Sequence, residues 1–176
     1  MKFLAFVPRP LSCESPTSLL IRTAKANGFI NVKHMCQALS IKHRARMVEL
    51  RLDIGPLCEF LCMEAPILAT EIRRAFYQQP YNKLCRGSSI VVSGQEVSRR
   101  LIENNFRPCP ACVKQGFTCF PQDLSVFDQC PFHHLSLLNE CPHCKQTNGW
   151  FHMNGFTCHC GFDYQQDIDL RYELVP

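Results

Sequence analysis

Four cysteine-led pairs in the last third of the chain constrain its fold more than any other feature: Cys109-Pro110-Ala111-Cys112, Cys130-Pro131-Phe132-His133, Cys141-Pro142-His143-Cys144 and Cys158-His159-Cys160. Each such turn presents two donors on one side of the backbone, and two turns complete the tetrahedral thiolate and imidazole set that zinc prefers. Short segments with few apolar residues fold around a metal in this way, because metal binding supplies the free energy that a small core cannot. Consecutive pairing gives a first site of Cys109, Cys112, Cys130 and His133 and a second of Cys141, Cys144, Cys158 and Cys160. Interleaved pairing, as in cross-braced modules, matches the first pair with the third and stays open. So do competing donors: His134 for His133, Cys119 for a neighbour, and His159 between the last two cysteines. Both consecutive sets fill all four positions, so the two zinc ions expected are structural rather than catalytic.

The chain holds 13 cysteines in 176 residues, a disulfide-like count in a secreted protein but a metal-binding or core count in a reducing compartment. The first ten residues contain two prolines and no long apolar run, and no stretch approaches about 18 apolar residues, so neither a secretory signal nor a membrane span is expected. A cytoplasmic protein follows. With 46% hydrophobic residues the composition is that of a globular chain. Charge divides it: residues 1–106 carry 15 Lys or Arg against 8 Asp or Glu, and residues 107–176 carry 4 against 7. The basic part is the expected face for phosphates, while metal–thiolate sites make the acidic part more negative still.

Capping signals place helices in the basic part. Ser15-Pro16 opens one over Pro16–Ala26 that Asn27-Gly28 closes, Asn31 caps a second through Met35 and Ala38, and Ser40 caps a third over 41–52. Three short helices with tight turns read as a helix-turn-helix, with Lys42, Arg44, Arg46 and Arg51 on the exposed side of the third as candidate nucleic-acid contacts. Further helices are predicted over 57–63 and 66–77, the latter with Ile67, Leu68, Ile72 and Phe76 inward. A short strand is predicted at 90–92, and the capping box Ser93-Gly94-Gln95-Glu96 predicts a helix to about residue 104.

Other chemistries lack their residues. Pro108-Cys109-Pro110-Ala111-Cys112 fits half of a zinc-deaminase signature, but the His-x-Glu half is missing, since His34 and His43 are followed two residues on by Cys36 and Ala45. Neither a Walker loop nor a Gly-x-Gly-x-x-Gly fingerprint is present. The Cys-x-x-Cys turns come as a metal-type set rather than as a single redox motif. Cys58 and Cys62, four apart on one helix face, would make a third site only with Cys36 or His34 alongside; with Cys13, Cys36 and Cys85 they are read as core. Phe117, Phe120, Phe127, Trp150, Phe151 and Phe156 are available to core or partner.

Two stretches resemble the TniQ family of transposition proteins, which includes target selectors of the TnsD kind. One is Pro8-Arg9-Pro10 followed by Glu14-Ser15, Ser18-Leu19-Leu20, Arg22, Ala24 and Asn27-Gly28; the other is the series Cys109-Pro-x-Cys112, Cys130-Pro-x-His133 with Leu137, Cys141-Pro-x-Cys144, and Cys158-x-Cys160-Gly161. The resemblance implies a non-catalytic bacterial adaptor that links target-site recognition, on DNA or through an RNA-guided CRISPR effector with its guide RNA, to an AAA+ ATPase transposition regulator. The length is similar to that of the short TniQ proteins of CRISPR-associated transposons. The expected fold is mainly α with small β: a helix-turn-helix-type helical domain (1–77), a connector and helix (78–106), and zinc-ribbon or zinc-finger modules at 107–140 and 141–176. A zinc-containing helix-turn-helix transcription regulator is the alternative; neither reading involves a membrane or a small-molecule substrate.

Overall fold

The computed structural model describes residues 3–41, 55–77, 83–84, 89–92, 95–98, 101, 103 and 105–168. Helix α1 spans Pro16–Ala26, with the Ser15 hydroxyl accepting from the Ser18 amide at its start and Asn27 closing its end. Helix α2 covers Val32–Ala38, and the Asn31 side chain caps it by accepting from the His34 amide. The predicted third helix over 41–52, with Lys42, Arg44, Arg46 and Arg51, lies outside the described residues apart from Ile41.

Helix α3 runs Gly55–Glu64, wider than predicted, because Pro56 sits in the first turn, where its missing N–H costs nothing. A 3-10 turn at Pro66–Leu68 then leads into α4, Ala69–Tyr77. The expectation of one helix over 66–77 with Ile67 inward is corrected here: the tighter turn rotates the register, leaving Ile67 96% exposed while Ile72 is fully buried. Chain atoms near the N-terminus pack back on this pair, with the Leu4 amide donating to the Glu64 carboxylate at 2.6 Å.

The capping box is also corrected. Strands β1 (Lys83–Leu84), β2 (Ser89–Val92) and β3 (Gln95–Ser98) form an antiparallel sheet in the order β1-β2-β3, with Ile90 opposite Val97 and Val92 opposite Gln95. Two residues, Ser93 and Gly94, separate the paired Val92 and Gln95, the spacing of a tight hairpin; β-branched Ile90, Val91 and Val92 supply the strand preference that outweighs the box. Further on, the Glu103 amide donates to Asp123 O and the Ser125 amide to Leu101 O, joining Leu101 and Glu103 to the first cysteine segment.

One buried cluster spans the helices and the cysteine-rich part. It joins Leu19, Leu20, Val32, Met35, Leu57, Leu61 and Ile72 to Phe106, Val113, Leu124, Trp150, Phe151, Phe156 and Tyr164. Trp150 and Phe151, in a 3-10 turn at Trp150–His152, pack against α1 and α2. Cys36, Cys58 and Cys62 are core residues, as read from the sequence, and burial pushes the Cys36 thiol up to about 11. Cys13 is half-buried, at a left-handed φ of 63°, and packs against the edge of a second buried cluster made of Cys109, Cys112, Cys119, Cys130 and Leu137. The fold is mainly helical with few strands, and among the described residues no helix is long and apolar enough to cross a membrane.

Candidate metal centres

Three of the four cysteine pairs sit on the same backbone device. The Cys130 amide donates to Leu135 O and receives at its own carbonyl the amide of His134; the Cys141 amide donates to Gln146 O and receives Lys145; the Cys158 amide donates to Phe162 O and receives Gly161. The residue after the turn is left-handed each time, with φ of 55° at His134, 58° at Lys145 and 92° at Gly161. The last turn closes one residue earlier, because Cys158 and Cys160 have a single residue between them. The first pair instead uses the short helix α5 (Pro110–Lys114): Cys109 is its N-cap and Pro110 its first residue.

These turns bring together two groups, Cys109, Cys112, Cys130 and His133, and Cys141, Cys144, Cys158 and Cys160, each with donor atoms lying within 4.8 Å of one another. Pairs consecutive in sequence therefore share a cluster. Zinc–sulfur bonds of about 2.3 Å in a tetrahedron place sulfurs about 3.8 Å apart, and a nitrogen at about 2.0 Å lies about 3.5 Å from each sulfur. In the first group Cys112 Sγ is 3.8 Å from Cys130 Sγ, and His133 Nδ1 is 3.6, 3.3 and 3.5 Å from the sulfurs of Cys109, Cys112 and Cys130. In the second, Cys141 and Cys160 sulfurs are 3.7 Å apart and those of Cys144 and Cys158 are 3.6 Å apart. Both donor sets thus have the chemistry and edge lengths of a site that can hold zinc.

Among the competing donors, Cys119 Sγ approaches Cys112 Sγ to 3.7 Å but is outside the mutually close set, and His134 is exposed. His159 Nδ1 lies 3.5 Å from Cys158 Sγ and its Nε2 4.0 Å from Cys144 Sγ, beside the second set without belonging to it.

In the first centre the surroundings of Cys109 and Cys130 favour the protonated thiol. Hydrogen bonding to Cys112 and burial raise the Cys109 thiol well above its ordinary value. Burial is the main cause at Cys130, opposed by the amides of Phe132 and His133, which donate to its sulfur. A cation would replace those protons and let the same amides stabilise thiolates.

The sequence reading missed the polar groups around the centres. Asn148, buried, accepts at Oδ1 from Cys158 Sγ (3.2 Å) and approaches the Tyr164 hydroxyl through Nδ2 (3.0 Å). Arg107, 7% exposed, donates to Asn139 Oδ1 at 2.6 Å, to the carbonyls of Leu124 and Phe127, and to Asp128, binding the loop before Cys130 to the residue just before Pro108. Nothing in the spacing marks these residues, because their partners lie 10 to 32 positions away.

A buried seam ties the first centre to α1. Glu14, fully buried, accepts from Arg22 Nη1 (2.6 Å), the Ser18 hydroxyl (2.8 Å) and the Leu11 amide (3.0 Å). The Ser15 amide donates to Thr118 O at 2.8 Å, the Thr118 amide to Ser18 Oγ at 3.0 Å, and the Thr17 hydroxyl to Asp123 Oδ2 at 2.9 Å. No protein-family model and no curated protein sequence matches this chain.

Proposed function

We propose that the protein is a zinc-stabilised, non-catalytic adaptor of DNA transposition of the TniQ kind, holding one structural zinc in each centre and linking target-site recognition to an AAA+ ATPase regulator. The single observation that carries the reading is the meeting of its two signatures. Ser15 and Ser18 of the N-terminal signature bond directly to Thr118, which lies between the first two cysteine pairs, and Glu14 bridges Cys119. Two patterns about 100 residues apart thereby serve one scaffold.

In this reading α1 and α2 belong to a helix-turn-helix-type domain, and Lys42, Arg44, Arg46 and Arg51 face the phosphates of target DNA or guide RNA. The filled coordination sets leave no open position for a water nucleophile, which supports scaffold over enzyme. A bacterial cytoplasm is the expected setting.

The test joins elemental analysis with co-purification. Two zinc per chain and retention of the AAA+ ATPase encoded alongside, even after Lys42, Arg44 and Arg46 are changed together to alanine, support the adaptor. Two zinc with tight duplex binding that this triple change abolishes, and no ATPase retained, would establish the transcription regulator instead.

A further inference from the structure

The two centres differ in how solvent reaches them. Cys109, Cys112 and Cys130 are buried, and His133 is half-buried. In the second centre Cys141 and Cys158 are buried and Cys144 is half-buried, but Cys160 is exposed. Its neighbour Gly161 adds an independent sign of open approach: a side-chain carbon built there meets nothing within 4 Å. Charge points the same way, since four thiolates around a divalent cation leave a net of −2, against −1 for three thiolates and an imidazole. The more negative sulfur set is the better nucleophile, and it is the one with an open face.

We propose that Cys160 is a modification site for soft carbon electrophiles, and that its alkylation opens the second centre and loosens the helices packed on it. This rests on the zinc reading above. In the step itself the Cys160 thiolate attacks the electrophilic carbon, a carbon–sulfur bond forms, and the leaving group departs with its electron pair; no proton is transferred. The product is a neutral thioether, a much poorer donor to zinc than the thiolate it replaces. The consequence reaches the helices because Cys141 and Cys158 belong to the same buried cluster as Trp150, which packs on α1 and α2. Trp150 is the single tryptophan and is 1% exposed, so its emission reports on that packing.

The experiment pulses the full-length zinc-loaded protein with iodoacetamide, maps the labelled peptides with time, and follows released zinc and Trp150 emission in parallel. A Cys13→Ser background removes the thiol that, among the described residues, is half-buried outside both centres. Cys160 is expected to label at least about tenfold faster than Cys109, Cys112 or Cys130, as its exposure dictates. One equivalent of zinc should leave per chain in step with that label, together with a red shift of Trp150. Equal labelling of the two centres, faster labelling in the first, or Cys160 labelling without zinc release would overturn the proposal. Zinc content before the pulse separates the two ideas: fewer than two ions per chain defeats the zinc reading, whereas two ions with uniform labelling defeats the modification site alone.

Discussion

Asn148 and Tyr164 show how single side chains outside the ligand sets can govern the second centre. Burial, then the charge of the neighbouring Cys141 and Cys158, raises the Tyr164 phenol above its ordinary value, so the hydroxyl stays protonated while its oxygen accepts from Asn148 Nδ2. Removing the amide next to it takes one hydrogen-bond partner from the Cys158 sulfur. Asn148→Ala should weaken zinc at the second centre by about 10- to 100-fold, the usual cost of losing such a supporting bond, with the first centre unchanged; chelator competition with a chromogenic dye measures both. At the ligands themselves the effect is larger. Cys109→Ser should lose the first zinc and Cys141→Ser the second, each unfolding its own segment; a variant that keeps both ions and its fold would remove that residue from the ligand set.

Among the elements, α1 and the cysteine turns show opposite uses of local conformation. Ser15 is both the N-cap of α1 and a member of the buried seam, its hydroxyl lying 2.8 Å from that of Thr17 and 3.3 Å from that of Thr118. Ser15→Ala should cost about 2 kcal/mol, the upper end for a cap, because the seam leaves its other partners unsatisfied; denaturant melts of the zinc-loaded protein test this. At the turns, Lys145 holds a left-handed backbone that a side chain disfavours, whereas the equivalent position after the last pair is Gly161. Lys145→Gly should therefore be neutral or stabilise by up to about 1 kcal/mol in the same assay.

For the whole molecule, the shared core makes metal and fold interdependent. Trp150→Ala should destabilise the protein by about 3–5 kcal/mol and lower helix content along with second-centre zinc affinity, because one cluster contains all three. The pH response should reverse sign with metal. In the metal-free chain the Cys109 and Cys130 thiols are raised above their unfolded values, so their contribution to stability is fully present below about pH 8.5 and is lost as pH rises through the folded values. Zinc binding expels those protons, so stability of the loaded protein should instead fall as pH drops from about 8 toward 5. Thermal melts from about pH 5 to about pH 10, with and without a chelator, span both windows and read out the two slopes.

Much of this architecture is written locally. The caps at Ser15 and Asn31 delimit α1 and α2 because their side chains bond to amides three residues on, and the cysteine pairs fix which donors lie together within each turn. Other features depend on distant partners. The capping box at Ser93 lost to a strand because pairing with Ile90, Val91 and Val92 satisfies more backbone than one reciprocal cap, and pairing energy is invisible in a single segment. Ile67 turned outward because a tight turn shifted the phase of the helix it precedes. The sequence by itself determined the donor types and their spacing. Which turns share a centre, which sulfur faces water, and which buried amide supports it were decided by tertiary structure, since each depends on chain segments brought together only in the folded chain, where one buried cluster takes in Cys141 and Cys158 and another takes in Cys109, Cys112 and Cys130.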